Sequence, residues 1–263
     1  MKFASRRAVQ GLLILAPPSS VFDASLGYCQ TDEFQYNALL SEAQRLRGRI
    51  YFEDGAVDAR RILEDGRLVH PDDERSWQLL VMNDGAVAGC ARYVPYDATV
   101  AFTKLGVARS ALAGSRPWGA SLRRAVEAER AAARRRGIGF AEVGGWALAE
   151  ELRYSGAALE IFTNVCALAK LFGGAVAITT ATFRHNSSSI LRKLGGRALV
   201  GDNGIELPSY YDPQYDCEME ILRFDTDCPN PRYGRRIDEC LQSLATVLGI
   251  YTPSISAAYA MSV

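Results

Sequence analysis

GFAEVGGWALAEELRYSGAALEIFTNVCALAKLFGGAVAITTATFRHNSSSILRKLGG, residues 139–196, is the stretch that decides the fold. It reads strand, bend, helix, strand, short helix. Ser155 is a candidate N-cap, and the residues after it are good helix formers. Leu159, Phe162, Val165, Cys166, Ala169 and Phe172 recur at helical spacing. Other apolar residues lie between them, so this helix is largely buried. Gly173 suits the position just past its end, where φ turns positive. Residues 175–181 are apolar on both faces, as an inner strand covered from both sides should be. Asn186 then opens a short helix that stops at Gly195-Gly196. The unit is β-α-β-α, and the rest of the chain positions, covers or extends it.

Within this unit, Arg153-x-x-Gly156-x-Ala158 stands at the strand-to-helix junction. A helix N-terminus has unpaired N–H groups and a partial positive charge. Glycine lets a phosphate approach the backbone, and Ala158 leaves room beside it. An ordinary helix start with a small residue would read the same way. The order of elements goes further. Arg-x-x-Gly-x-Gly/Ala after a strand, then helix, strand and an Asn-initiated helix ending Lys193-Leu194-Gly195, resembles the GNAT acyltransferase superfamily. The resemblance implies an α/β (α+β) fold: a GNAT-like mixed central sheet, splayed between its two central parallel strands and flanked by helices. It implies that Ala149, Arg153, Gly156, Ala158 and Asn186 bind the acyl donor. That family often has a tyrosine two residues before the lysine, as general acid for the leaving thiolate. Here the position is Leu191, so that role is unfilled.

The chain has 263 residues, 48% hydrophobic and 23% charged, which suits one globular domain with extensions. The boundaries expected are an arm at 1–27, the GNAT-like body at 28–225, and a linker with a C-terminal helix at 226–263. Net charge is +0, so there is no global pull toward nucleic acid or an anionic membrane. Six cysteines are scattered without a C-x-x-C, and there are only two histidines. No metal site is expected from that inventory. Several of the cysteines sit in apolar runs, as buried free thiols do, and a reducing cytoplasm is the simplest setting. Arg6-Arg7 with the apolar run 11–16 is too short for a signal peptide core and reads as a short strand or a packing arm. No run approaches the roughly 20 residues a membrane span needs.

Working outward, Asp32-x-x-Gln35 is a capping box, so a helix is expected over residues 33–46, with Phe34, Leu39, Ala43 and Leu46 on its apolar side. Residues 54–75 read as a loop with a helical turn near 58–63. Residues 77–82 and 86–94 are strands joined by a hairpin turn at Asn83-Asp84-Gly85. Arg92 lies inside the second strand and must find solvent or an anion. Residues 96–116 have no clear period. Pro117 suits the first turn of a helix reaching Arg136 and ended by Gly137. That helix carries Arg123, Arg124, Arg130, Arg134, Arg135 and Arg136, either a solvated, ion-paired face or a dock for an acidic partner. A strand is expected near 198–200 and another, alternating cleanly, over 217–224. Ile237, Cys240, Leu241, Leu244, Val247 and Leu248 mark a C-terminal amphipathic helix. The last dozen residues read as disordered.

A narrower resemblance lies in the front half. Arg47-x-x-x-Tyr51, then Gly89-x-x-Arg92, then Glu142 four residues before Trp146, is similar to the acyl-homoserine-lactone synthases and the related N-acyl amino acid synthases. The first family has Arg-x-x-x-Phe, Gly-x-x-Arg and Glu-x-Ser-Arg-Phe at matching places. Gly145 replaces the arginine of the last motif, and of the family's aspartate pair only Asp72 and Asp73 are candidates. These departures favour the amino acid synthases. The resemblance implies an N-acyltransferase with acyl-phosphopantetheine on an acyl carrier protein, or acyl-CoA, as co-substrate. No cofactor would be bound permanently. The acceptor would be the amine of an amino acid or similar small molecule. Glu142 would take the amine proton, and backbone N–H groups around Gly144, Gly145 and Trp146 would hold the thioester oxygen. Arg47 and Arg92 would each grip a substrate carboxylate, or else form internal ion pairs with Glu53 or the acidic cluster at 72–74. Tyr51, Trp77, Trp146 and Phe162 would line an acyl tunnel, or simply fill a core. His185 reads as structural. An acetyl-CoA-dependent N-acetyltransferase and a non-catalytic acyl-carrier-binding module are the other readings.

Overall fold

The structure, a computed structural model, describes residues 11–18, 26, 28–97, 99–184 and 186–252. His185, the Arg6-Arg7 pair and the last eleven residues lie outside them. In chain order the elements are β1 (Gly11–Leu15), β2 (Tyr28–Thr31), α1 (Glu33–Glu53), β3 (Trp77–Asn83), β4 (Ala86–Tyr96), α2 (Ala111–Gly114), α3 (Gly119–Arg136) and β5 (Gly139–Leu148). Then come α4 (Ala157–Leu171), β6 (Ala175–Thr182), α5 (Ser187–Lys193), β7 (Arg197–Ala198), β8 (Tyr210–Asp212), β9 (Cys217–Asp225), α6 (Pro231–Leu244) and β10 (Leu248–Tyr251). The described strands form one mixed sheet in the order β2-β10-β1-β3-β4-β5-β6-β9-β7, with β8 on β9. No helix among the described residues is long and apolar enough to cross a membrane.

β5 and β6 are parallel neighbours in the middle of the sheet, and their pairing runs only from Gly139↔Ala175 to Glu142↔Ile178. Beyond that the strands part. β5 continues to Leu148 on β4 alone, and β6 continues to Thr182 on β9 alone. The expected splay is therefore present. Its two faces are covered as the apolar runs require. Ala141 and Ala177 pack with Ile161, Phe162 and Leu168 of α4, while Phe140, Val176 and Ile178 pack with Leu122, Ala125 and Val126 of α3. Each of the buried Val, Leu, Ile and Phe side chains among them contributes about 1.5–3 kcal/mol.

Several boundaries differ from the sequence reading, each for a local reason. Asp32 caps α1 as expected, its Oδ1 accepting from the Gln35 amide at 2.8 Å, but the helix runs on to Glu53. Gly48 does not end it. A Cβ there would collide with the Gly66 carbonyl oxygen, so this glycine serves a close helix-to-loop approach. Phe34 is 87% exposed; the buried side of α1 is Tyr36, Leu39, Ala43, Leu46 and Ile50. Helix α3 begins at Gly119, two residues after Pro117, and ends at Gly137 with φ 71°. Residues 102–109 form two short 3-10 turns. Helix α6 stops at Leu244, and Leu248 belongs instead to β10, which is wedged parallel between β1 and β2.

Candidate active site

From Val143 onward β5 has no partner on its β6 side, so the backbone groups turned that way face the gap between the strands. The strand also bulges here. Arg92 of β4 pairs with Gly144 and Cys90 with Ala147, which leaves one extra residue on β5. Gly145 takes that bulge with φ 61°. A Cβ on it would lie 2.5 Å from Arg92 Nε and 3.0 Å from Arg47 Nη1. The missing side chain is what lets two guanidinium groups close against the backbone.

Those two arginines meet one carboxylate. Arg47 holds Asp73 in a forked pair at 2.8 and 2.7 Å, and Arg92 Nη1 reaches Asp73 Oδ1 at 3.1 Å. Asp73 is 1% exposed and Arg47 2%. Gln44 Nε2 and the His70 amide also donate to Asp73, at 3.0 Å each. The cluster carries two cations against one anion. Burial works to raise the Asp73 carboxyl, but the Arg47 hydrogen bonds and charge, with Arg92, outweigh it and hold it at about 2. Arg92 is the uncompensated member: burial, then the neighbouring Arg47, lower it below the usual guanidinium range. The Nε atoms of both arginines and Gln78 Oε1 are buried without a partner. The arrangement retains one unit of positive charge and unused donors beside the bulge, which suits a carboxylate.

Glu142 sits at the last β5–β6 pair. It accepts from the Gly106 amide at 2.6 Å, the Val107 amide at 2.7 Å and the Tyr96 hydroxyl. Tyr96 in turn accepts from Arg75 at 3.1 Å, and Arg75 lies over its ring at 4.8 Å. Arg75 and Arg109 both pair with Asp72, at 2.5 and 3.1 Å. His70 completes this group. Burial first, then the charge of Arg92, lower it to about 4, and as a neutral ring its Nδ1 accepts the Asp72 amide at 3.1 Å. Both Glu142 oxygens are thus engaged in fastening residues 106–107, and proton abstraction would require one of those bonds to open.

On the α4 side of the splay lies an apolar cleft walled by Val143, Trp146, Phe162, Ala177 and Leu191. Trp146 and Phe162 stack with centroids 6.4 Å apart. The other two aromatics expected there lie elsewhere. Trp77 packs on Phe172 at 4.8 Å, and the Tyr51 hydroxyl donates to the Trp146 carbonyl at 3.0 Å from the α1 side. Leu191, the position without the general-acid tyrosine, is a wall of the cleft. The cleft leaves about 20 Å³ open to a water-sized sphere, little more than one water needs.

At the junction of β5 and α4, Gly156 has φ 93° and precedes α4 directly, while Ser155 Oγ accepts the Ala157 amide at 3.2 Å. The cap position is therefore Gly156, one residue later than Ser155. A Cβ on Gly156 would meet nothing within 4 Å, so the backbone is approachable from outside. Ala158 is half-buried in the first turn. Arg153 is partly exposed and reaches Asp54 at 3.4 Å. Asn186 opens α5 with φ 57°. Ala149 is committed internally: its N–H donates to the Ala88 carbonyl at 2.8 Å and its carbonyl accepts from Leu152 at 3.0 Å. Gly156→Val is expected to weaken CoA binding about tenfold or more in calorimetry. It also strains the left-handed backbone by about 1–3 kcal/mol. Unchanged affinity would remove the anion site.

Comparison with solved structures settles the architecture. The CoA-dependent acyl-homoserine lactone synthase BjaI, with SAM and isopentyl-CoA, aligns with TM-score 0.53 at 15% identity, over 95% of this chain and 98% of that one. The same enzyme with MTA aligns with TM-score 0.54, also at 15% identity and over the same shares. The chain has the fold of an acyl-homoserine lactone synthase. FeeM, an N-acyl amino acid synthase from uncultured soil microbes, aligns with TM-score 0.46 at 16% identity over 74% of this chain and 87% of that one, too low to bear on the fold. No family model matches the sequence, and no curated protein sequence matches it.

The fold also sets the basic helix apart from the glycine-led start of α4. α3 ends where β5 begins, whereas Gly156 follows the other end of β5. Ten residues of strand, about 33 Å, lie between. Arg136 confirms it by pairing with Asp225 and Asp227 at 2.6 and 3.1 Å, beside the first residues of β6. Replacing Arg134 and Arg135 with glutamate is therefore expected to leave turnover of carrier-bound and CoA-bound acyl donors alike unchanged in a steady-state assay. A loss confined to the carrier-bound donor would bring the docking face back to this helix.

Several partners in the site went unread in the sequence: Tyr96, Gln44, Gln78, and the Gly106 and Val107 amides. Gln78 was the visible signal, a lone amide in the apolar run Trp77-Gln78-Leu79-Leu80-Val81.

Proposed function

We propose that the protein is a GNAT-type N-acyltransferase. It transfers a long-chain acyl group from a CoA or carrier-protein thioester to the amine of an amino acid or similar small molecule. The observation that carries this reading is the splay between β5 and β6, with an open glycine-led helix start at one end and the over-positive Arg47–Arg92–Asp73 cluster behind the Gly145 bulge. The thioester lies in the splay and the acceptor carboxylate lies against Arg92. The amine nitrogen bonds to the thioester carbon, the carbon–sulfur bond breaks, and the thiol leaves with a proton. Unpaired N–H groups of β5 past Val143 stabilise the oxyanion. Holding both reactants in line supplies much of the acceleration. Glu142 keeps residues 106–107 in place beside the last paired rung of β5 and β6, and the amine gives up its proton to water.

The narrow cleft favours a second reading, a short acyl group such as acetyl, because Trp146, Phe162 and Leu191 leave no room for a long chain as they stand. The two readings separate by donor profile. Purified enzyme is given amino acids with acyl-CoA donors of increasing length, and products are identified by mass spectrometry. N-acylated amino acids with a long-chain optimum support the first reading, and an acetyl optimum the second. Absence of any N-acyl product with every donor and amino acid would defeat both.

A further inference from the structure

A second cleft, of 470 Å³, lies along α1. It shares no wall with the splay. Its residues on α1 are Glu42, Arg45, Leu46, Gly48, Arg49 and Phe52, and by the 3.6-residue period most of these point opposite to Arg47. The floor is apolar, with Leu46, Phe52, Ile62 and Val87 meeting there. Phe52 is 53% exposed in the middle of a concave surface, where apolar area has something to gain from a ligand. The volume falls within the roughly 300–1,000 Å³ of small-molecule sites.

The rim is cationic. The Arg49 side chain makes no hydrogen bond or ion pair among the described residues. Arg45 Nε donates to the Asp65 carbonyl at 3.1 Å and its Nη2 lies 3.8 Å from the Asp65 carboxylate, which Arg67 also takes at 2.6 Å. Glu42 is turned inward, its Oε2 accepting the Val87 amide at 3.2 Å. Arg45, Arg49 and Arg67 against Glu42 and Asp65 leave one positive charge over an apolar trough, with Arg49 the unpaired cation among these described residues.

We infer that this cleft binds a long-chain aliphatic carboxylate, the chain on Leu46, Phe52, Ile62 and Val87 and the head group on Arg49 and Arg45. The inference stands apart from the proposed reaction and does not depend on it. The test is calorimetric titration of the full chain with dodecanoate below its micelle concentration. One site is expected. Arg49→Glu should weaken it about tenfold or more, as loss of a charge-assisted bond does, and uncharged dodecanol should bind correspondingly less. Ala86 is exposed on the cleft wall, so Ala86→Trp should abolish binding while circular dichroism stays unchanged. No saturable binding to the wild-type chain overturns the inference. So does binding that survives both variants but is lost when Leu191→Trp fills the splay, since the chain would then sit in the other cleft.

Discussion

Asp73→Ala is expected to lower the free energy of unfolding by about 3–5 kcal/mol, as removal of one partner from a buried ion cluster does. Asp73 is the single carboxylate between Arg47 and Arg92. Without it, two guanidinium groups would face each other out of water, and the Gln44 and His70 donors would lose their acceptor. Urea denaturation monitored by circular dichroism measures the loss. A cost below about 1 kcal/mol would mean that solvent reaches the arginines and that the cluster is not a closed binding site. Asp73→Asn keeps the shape and removes the charge, so it should fall between the two. The same carboxylate predicts a pH dependence. Its folded pKa, about 2, is depressed, so its contribution is complete above the ordinary carboxylate range. That contribution is lost as pH falls through about 2. Its size is on the order of 2 kcal/mol. In Asp73→Ala this part of the acid transition should disappear.

Glu142→Gln should cost stability and activity together. The carboxylate accepts two amide N–H bonds and the Tyr96 hydroxyl. An amide would present its own N–H groups to at least one of those donors, at about 1–3 kcal/mol for each buried group left unsatisfied. Residues 106–107 would come loose from the strand. Turnover should fall more than tenfold, and raising the pH should not restore it. A general base behaves differently, because the amine loses its proton unaided at high pH. A variant with normal stability whose turnover recovers in alkaline buffer would assign Glu142 to proton abstraction and not to anchoring.

Much of the fold could be read from residues 139–196 because its signals are local. A buried strand, a glycine-punctuated helix and a second buried strand admit few arrangements, and the parting of β5 from β6 follows where Gly144-Gly145 interrupts the first strand. The acidic cluster at 72–74 was open in the sequence as a partner for Arg47 and Arg92, and the structure pairs both with it, but which carboxylate they meet could not be read. Asp73 is 26 residues from Arg47 and 19 from Arg92, and nothing local distinguishes it from Asp72, which turns the other way to Arg75 and Arg109. Glu142 was visible as a carboxylate on a central strand, but its partners are backbone amides of a segment with no period of its own. The aromatics divided for a similar reason: alternation says that Trp77 and Trp146 are inward, not which face each serves. The helical spacing that ran on to Val247 and Leu248 concealed β10, whose four residues match either period.

The position of β10 bears on how the chain is made. Among the described residues β2 pairs with no strand except β10, and β1 has β10 on one side and β3 on the other. As the polypeptide leaves the ribosome, Leu13 must wait for Leu248, its neighbour in the finished ladder. Through that interval β1 offers an open edge to any other nascent strand, the situation that leads to pairing between molecules. The closing contact is among the most distant in sequence, so the loop entropy for the whole chain is settled in one late step. Synthesis halted before residue 248 would yield a polypeptide with its central splay formed and its β1 edge bare, liable to aggregate.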